Sequence, residues 1–312
     1  GFLGKVYMTM AGFPINDTAK KAEAQQLFKE VIDYATAKNK YWMADMDAWN
    51  QSWLHENDNK YAIFEIQYIA EAGQGNPMVT LTVPSNPGTD WCGNNLVTGT
   101  HVYIERGLQR HFIAKDEITG EYLDKRVDGT LNLKETVDED GNIITSKGNT
   151  FYTKYFESKV KRAKFGKSDM DATIVDRTYW PQNFQLLRIE DIMLLYAECV
   201  GNTTEGRELV NRIRRRAGLA DLDINLSEEE FQKAVQDERR YELAEEGVRW
   251  FDLVRRNEYV DTIKQMFIDD DDTENGTYKQ YANRVNADMY LYPIPQSQIE
   301  VRKGLYTQNK GY

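Results

Sequence analysis

From Phe184 to Arg256 apolar residues recur three and four positions apart through successive segments, with glycines interrupting at 218 and 247. That period puts the apolar side chains on one stripe of a helix, and such a stripe must be covered by a neighbouring element. Leu187, Leu194 and Leu195 share a helical register with Ile189, Met193 and Tyr196, so a helix is expected from near Phe184. A second spans about Thr204–Ala217 and stops at Gly218, a residue suited to the position just past a helix end. Ser227 with Glu230 forms a capping-box pattern ahead of Phe231, Ala234 and Val235, opening a helix expected to reach Glu246. A short helix over Val248–Arg256 comes next. Consecutive short helices of this kind pack as pairs, which makes the chain mostly α.

The first 70 residues repeat the theme. Gly1–Met10 reads as a helix with Phe2, Leu3, Val6 and Met10 on one face, broken by the turn from Gly12 to Asp17. Asp17 or Thr18 is expected to cap a second helix running to about Lys38, with Ala24, Leu27, Phe28, Val31 and Ile32 inward. Such a hairpin is the unit of helical repeats. Tyr61–Tyr68 reads as a buried strand or extended segment. Residues 73–100 carry Gly, Pro and Asn without a period, and residues 116–149 are polar, with Asp128-Gly129 and Asp140-Gly141 as hairpin-turn signals. The expected organisation is one domain over 1–312, with a helical scaffold at 1–70 and 184–260 and a loop-rich insertion at 71–183.

Composition excludes several functions. Fifty acidic residues against 39 basic give a net charge of −11, which repels a polyanion and argues against a nucleic-acid partner. No run approaches the roughly 20 apolar residues of a membrane span. Two cysteines, Cys92 and Cys199, form neither a disulfide framework nor a metal cluster, and Cys199 reads as a small apolar residue of a helix. His55, His101 and His111 have no metal-ligand spacing. Nucleotide-loop and nucleophile-elbow motifs are absent from the sequence. Asp271-Thr273-Asn275-Gly276 echoes a calcium loop, but Ala282 stands where an EF-hand needs its bidentate Glu, which leaves only a looser calcium site open. No cofactor is expected.

Aromatic residues reach 12%, with 19 Tyr and 6 Trp. Sugar recognition needs an aromatic platform under the apolar ring face and polar groups for the hydroxyls. In the long loop Trp91 is the candidate platform, with Asn86, Asp90, Asn94 and Asn95 around it and Tyr103 and Arg106 close behind. The competing reading is that Trp91 plugs the scaffold. Trp42, Trp49 and Trp53 are expected to pack against the first hairpin; Tyr179 and Trp180 form a third aromatic group. Arg239, Arg240, Glu242, Glu246 and Arg249 crowd one helix, and their three- and four-residue spacing favours an ion-pair network over an acid–base pair, which needs an open cleft.

Five ordered segments carry a family resemblance: Arg188–Glu198, Asn211–Leu219, Asp237–Arg255, Leu291–Pro295 and Gln308–Tyr312. They are similar to the "RyADvLLmyAEA", "N.iR.RAGL", "ERR.ELAFEG.RWFDLvR", "LyPIP" and "QNPGY" patterns of the SusD/RagB family. The match is strong over about the last 130 residues and looser over Gly1–Tyr68. Glu245 departs from the pattern's Phe and Lys310 from its Pro. The resemblance implies a tetratricopeptide-like helix-pair scaffold with long irregular loops and a few short strands. It further implies a lipid-anchored outer-membrane protein on the cell surface that binds glycans and delivers them to a SusC-like TonB-dependent transporter. This chain would be the C-terminal portion, its anchor lying outside the sequence. Peptide binding, or a helical-repeat interaction module without a small ligand, are the alternatives. The shared motifs mark no ligand residues.

Overall fold

The computed structural model describes residues 1–54, 59–71, 73–82, 104–132, 151–156, 163–164, 180–269, 277–302 and 304–312. Helices carry most of the regular structure. In chain order the elements are α1 (Phe2–Ala11), α2 (Lys20–Lys38), α3 (Met46–Gln51), β1 (Ala62–Ile66), α4 (Met78–Thr82), α5 (Arg106–Ile113), α6 (Val127–Thr130), β2 (Leu131–Asn132) and β3 (Phe151–Tyr152). Next come β4 (Phe184–Arg188), α7 (Ile189–Val200), α8 (Thr204–Arg216), α9 (Glu228–Glu242), α10 (Arg249–Arg255), α11 (Tyr259–Asp269), α12 (Thr277–Ala282) and α13 (Gln296–Val301). They form two compact units, one of residues 1–8 and 19–249, the other of residues 9–18 and 250–312.

The first unit is built around α7, which packs on α2, α8 and α9. Every residue of α7 from Ile189 to Glu198 is buried, as befits a helix covered on all sides. Ile192, Leu194, Phe28, Val210, Ile213, Phe231 and Val235 form its core, each contributing about 1.5–3 kcal/mol by removal from water. The capping box of Ser227 and Glu230 opens α9 as the sequence requires.

Several boundaries differ from the expectations. Phe184–Arg188 is strand, because these residues pair antiparallel with β1 and Arg188 is still extended (φ −120°) when α7 begins. β1 is half-exposed rather than buried, with Phe64 and Ile66 turned outward. On α1 the buried residues are Gly4 and Met8, while Phe2, Leu3 and Val6 are exposed. Neither Asp17 nor Thr18 caps α2, whose N-cap Ala19 makes no side-chain cap. Helix α9 ends at Glu242, short of Glu246, since Glu245 adopts a left-handed backbone (φ 69°). Asp128-Gly129 lies in α6 instead of a hairpin turn; a Cβ on Gly129 would come within 2.3 Å of the Trp49 ring.

In the second unit Phe13 contacts the Tyr290 and Tyr259 rings at 5.0 and 6.3 Å. Its N–H donates to the Arg255 carbonyl at 2.8 Å. The two C-terminal motifs are fastened together. The Gln308 side chain accepts from Ile294 N–H and donates to its carbonyl (2.8 and 3.0 Å), and Asn309 donates to the Tyr292 carbonyl at 2.6 Å.

Candidate functional site

Of the residues expected to bind a sugar, Asn86, Asp90, Trp91, Asn94, Asn95 and Tyr103 lie outside the described residues. Arg106 is described: it is the first residue of α5 and half-buried. What the structure defines is how the segments flanking that loop are held. Glu105 caps α5 by accepting from Gly107 and Leu108 N–H at 3.0 and 2.9 Å. The same carboxylate pairs with Arg240. His111, one turn further, stacks on Tyr241 with ring centroids 3.4 Å apart and lies 2.7 Å from the Asp124 carboxylate.

Beneath α5 and α6 lies a buried hub of charge. Glu242 is fully buried and accepts from Arg216 at 2.6 Å, Arg126 at 2.9 Å, Arg188 at 3.1 Å and the Trp49 indole at 3.3 Å. Arg188 donates twice to Glu246 and once to Glu190. Arg126 bridges Asp124 bidentately and reaches Glu238 at 2.7 Å. The Lys154 ammonium, also fully buried, donates to Glu246 at 2.8 Å and to the Glu242 carbonyl at 3.0 Å. Among the described residues five carboxylates thus face four buried cations, and Arg214 adds a charge from the edge at 3.3 Å. Burial pushes the Glu242 and Asp124 carboxyls up, but the guanidiniums around Glu242, and Arg126 with His111 beside Asp124, overcompensate and hold both well below the usual range.

The charges crowded on α9 form an ion-pair network that locks elements together, as expected, with partners on other elements. Arg239 reaches across to another helix and donates to Asp191 of α7 at 2.8 Å. Glu242 and Glu246 likewise pair across elements, with residues that spacing alone did not single out: Arg126, Lys154, Arg188 and Arg216. One signal was available, since Arg188, Glu190 and Arg216 fall inside the family-like segments although their polarity conflicts with an apolar helical core. Both glutamates are buried and neutralised by guanidinium or ammonium, so this pair offers no open acid and base.

Arg126 and Lys154 tie two segments of the 71–183 stretch to this hub. Trp49 and Trp53 are fully buried with Met43 and Tyr155, forming a cluster separate from the first hairpin. Trp180 is buried too, its indole donating to the Tyr155 carbonyl at 2.9 Å. β2 and β3 pair where residues 133–150 leave and rejoin. Glu245 binds two of these flanks: its carboxylate accepts from Lys154 N–H at 3.0 Å and lies beside the Thr82 hydroxyl. Its Oε1 is buried without a hydrogen-bond partner among the described residues, and burial pushes its carboxyl up to about 8.

A concave surface lies along β1. This cleft of about 420 Å³ is lined by Lys40, Tyr41, Asn59, Lys60, residues 62–65 and Gln67. Tyr41 comes just after the left-handed cap of α2 and itself has φ 67°, a strained conformation for an aromatic residue. Phe64 is 51% exposed. Asn59 is buried, donating to the Ser52 carbonyl and accepting from Tyr61 N–H at 2.9 Å each, which fixes the floor.

The SusD family model matches residues 9–312. SusD-like protein P38 of Formosa agariphila is 34% identical over 118 residues, covering 34% of this chain and 22% of that protein. SusD-like protein P25 of the same organism is 26% identical over 161 residues, covering 48% and 28%. Among solved structures, a SusD homolog from Bacteroides thetaiotaomicron superposes over 100% of this chain and 63% of its own, with TM-score 0.74 and 20% identity. A laminarin-binding SusD-like protein matches over 100% and 61% (TM-score 0.64, 19% identity). Surface glycan-binding protein A from Bacteroides uniformis matches over 98% and 60% (TM-score 0.61, 23% identity). The chain therefore spans less than two thirds of the length of these relatives, and the shared fold is the helix-pair scaffold of tetratricopeptide-like type. No described helix is long and apolar enough to cross a membrane.

Proposed function

The chain belongs to the SusD family, and from that premise we propose that it captures glycans at the surface of a Gram-negative outer membrane and delivers them to a SusC-like TonB-dependent transporter. The observation that carries this reading is the match of essentially the whole chain to solved proteins described as laminarin-binding and surface glycan-binding. The Glu105–Arg240 pair and Glu245 beside Thr82, which fasten the flanks of residues 83–103, support it, since a rigid scaffold suits recognition. Trp91 would supply the stacking platform, and Asn86, Asp90, Asn94, Asn95, Tyr103 and Arg106 the polar contacts. The protein would work by capture alone, without breaking bonds, and would reach the membrane through a lipid anchor.

The test is calorimetric titration of the chain, and of Trp91→Ala, with a panel of oligo- and polysaccharides, read together with reducing-end release. Binding weakened in the variant, with unchanged circular dichroism and no new reducing ends, is expected. Silence across the panel with a peptide library bound would overturn glycan capture in favour of the peptide alternative. Reducing ends released by the wild type would overturn the non-enzymatic reading.

A further inference from the structure

The cleft along β1 has the chemistry of a sugar site. Two aromatic residues line it: Tyr41, held by a strained backbone where α2 ends, and Phe64, whose ring is half-exposed although Phe2 meets it edge-on at 5.6 Å. Rings in these positions offer apolar surface to a pyranose face. The charges of the cleft are unequal. Glu65 is the one carboxylate among the described lining residues, its Oε1 accepting from the Asn183 and Gln67 amides at 3.1 and 3.3 Å, and it is outnumbered by two lysines. Lys40 and Lys60 are both exposed, and neither makes an ion pair among the described residues. Lys60 lies 4.9 Å over the Tyr61 ring. Complementing the α2 dipole does not require Lys40, because Lys38 already occupies the last turn.

Two such ammonium groups, one of them over a tyrosine ring, line one cleft in a chain of net charge −11. A neutral sugar gains only hydrogen bonds to its hydroxyls from them, whereas an acidic one gains two contacts between opposite charges. We propose that the β1 cleft binds an anionic saccharide, carboxylated or sulfated, with Tyr41 and Phe64 against the sugar ring and Lys40 and Lys60 on its acid groups. The proposal rests on the glycan-binding reading and deepens it by naming a ligand class.

Calorimetry with oligogalacturonate, a sulfated galactan oligosaccharide and a neutral laminarin oligosaccharide tests it, using wild type, the double variant Lys40→Ala/Lys60→Ala, its Lys40→Arg/Lys60→Arg counterpart, and Trp91→Ala. Both lysines are exposed, so the variants should keep the wild-type fold and melting temperature. The expected result is that at least one acidic oligosaccharide binds and weakens with added salt. It should lose roughly tenfold or more in the alanine double variant and be retained in the arginine one. The carboxylated and sulfated arms identify which acid group is read. Acidic binding unchanged in the alanine double variant but lost in Trp91→Ala would overturn the cleft assignment while supporting the loop. Binding of the neutral oligosaccharide alone would overturn the acidic class and leave glycan capture standing. No binding to any saccharide would overturn both.

Discussion

Between pH 4.5 and about 8, burial should leave Glu245 protonated in the folded chain and ionised in the unfolded one. Its enclosed carboxyl titrates at about 8 rather than the ordinary 4.5. Between those two values the native state holds one proton more than the unfolded state, so stability falls as pH rises across the window. The slope is about 1.4 kcal/mol per pH unit for one proton, which accumulates to about 3 kcal/mol at pH 7. Glu245→Gln keeps the shape and removes the titration. Urea unfolding of wild type and variant, followed by tryptophan fluorescence from pH 4.5 to 8.5, separates the effects. The two proteins should differ little at pH 4.5. The variant should pull ahead steadily, by about 3 kcal/mol at pH 7, and the gap should level off above pH 8. A difference that stays constant with pH would refute the argument, since only a retained proton gives it a slope. The unpaired Oε1 and the positive φ at this residue add costs that glutamine shares, so they cancel in the comparison.

Two further perturbations probe the hub and its surroundings. Glu242→Ala leaves Arg126, Arg188 and Arg216 buried without their shared partner and should cost about 3–5 kcal/mol, measured as a lower urea midpoint with an unchanged slope. Gly129→Ala drives a methyl group to 2.3 Å from the Trp49 ring and should destabilise by about 1–3 kcal/mol, with a red-shifted tryptophan emission as the accompanying sign.

The helices were legible because their cause is local. The apolar repeat of α7, the capping box of α9 and the inward residues of α2 each arise from side chains a few positions apart. What the sequence hid depends on partners distant in the chain. Phe184–Arg188 shares a helical register with α7, yet it becomes strand because β1, some 120 residues earlier, offers it hydrogen bonds. Phe2, Leu3 and Val6 form an apolar face on α1, but Gly4 is the residue against which the Phe28 ring fits, 2.6 Å from where a Cβ would stand. Spacing along α9 suggested pairing among its own charges, whereas partners 26 to 116 residues away make the stronger contacts. The cleft at β1 was invisible for the same reason: Tyr41 and Phe64 are brought together by the turn at the end of α2 and by the strand pairing.

This division explains why the family is easy to recognise here and the ligand is not. Arg188, Glu190, Arg216, Glu238, Arg239 and Glu242 lie in or beside the family-like segments, and the structure buries every one of them in ion pairs. Such charges are costly to bury and costly to break singly, so they are tolerated only as a complete set. A complete set fixes a scaffold, and a fixed scaffold holds the flanks of a loop without dictating what the loop contains. Residues that meet a ligand stand under no such mutual constraint. They are free to differ wherever exposed side chains can be exchanged without disturbing the hub.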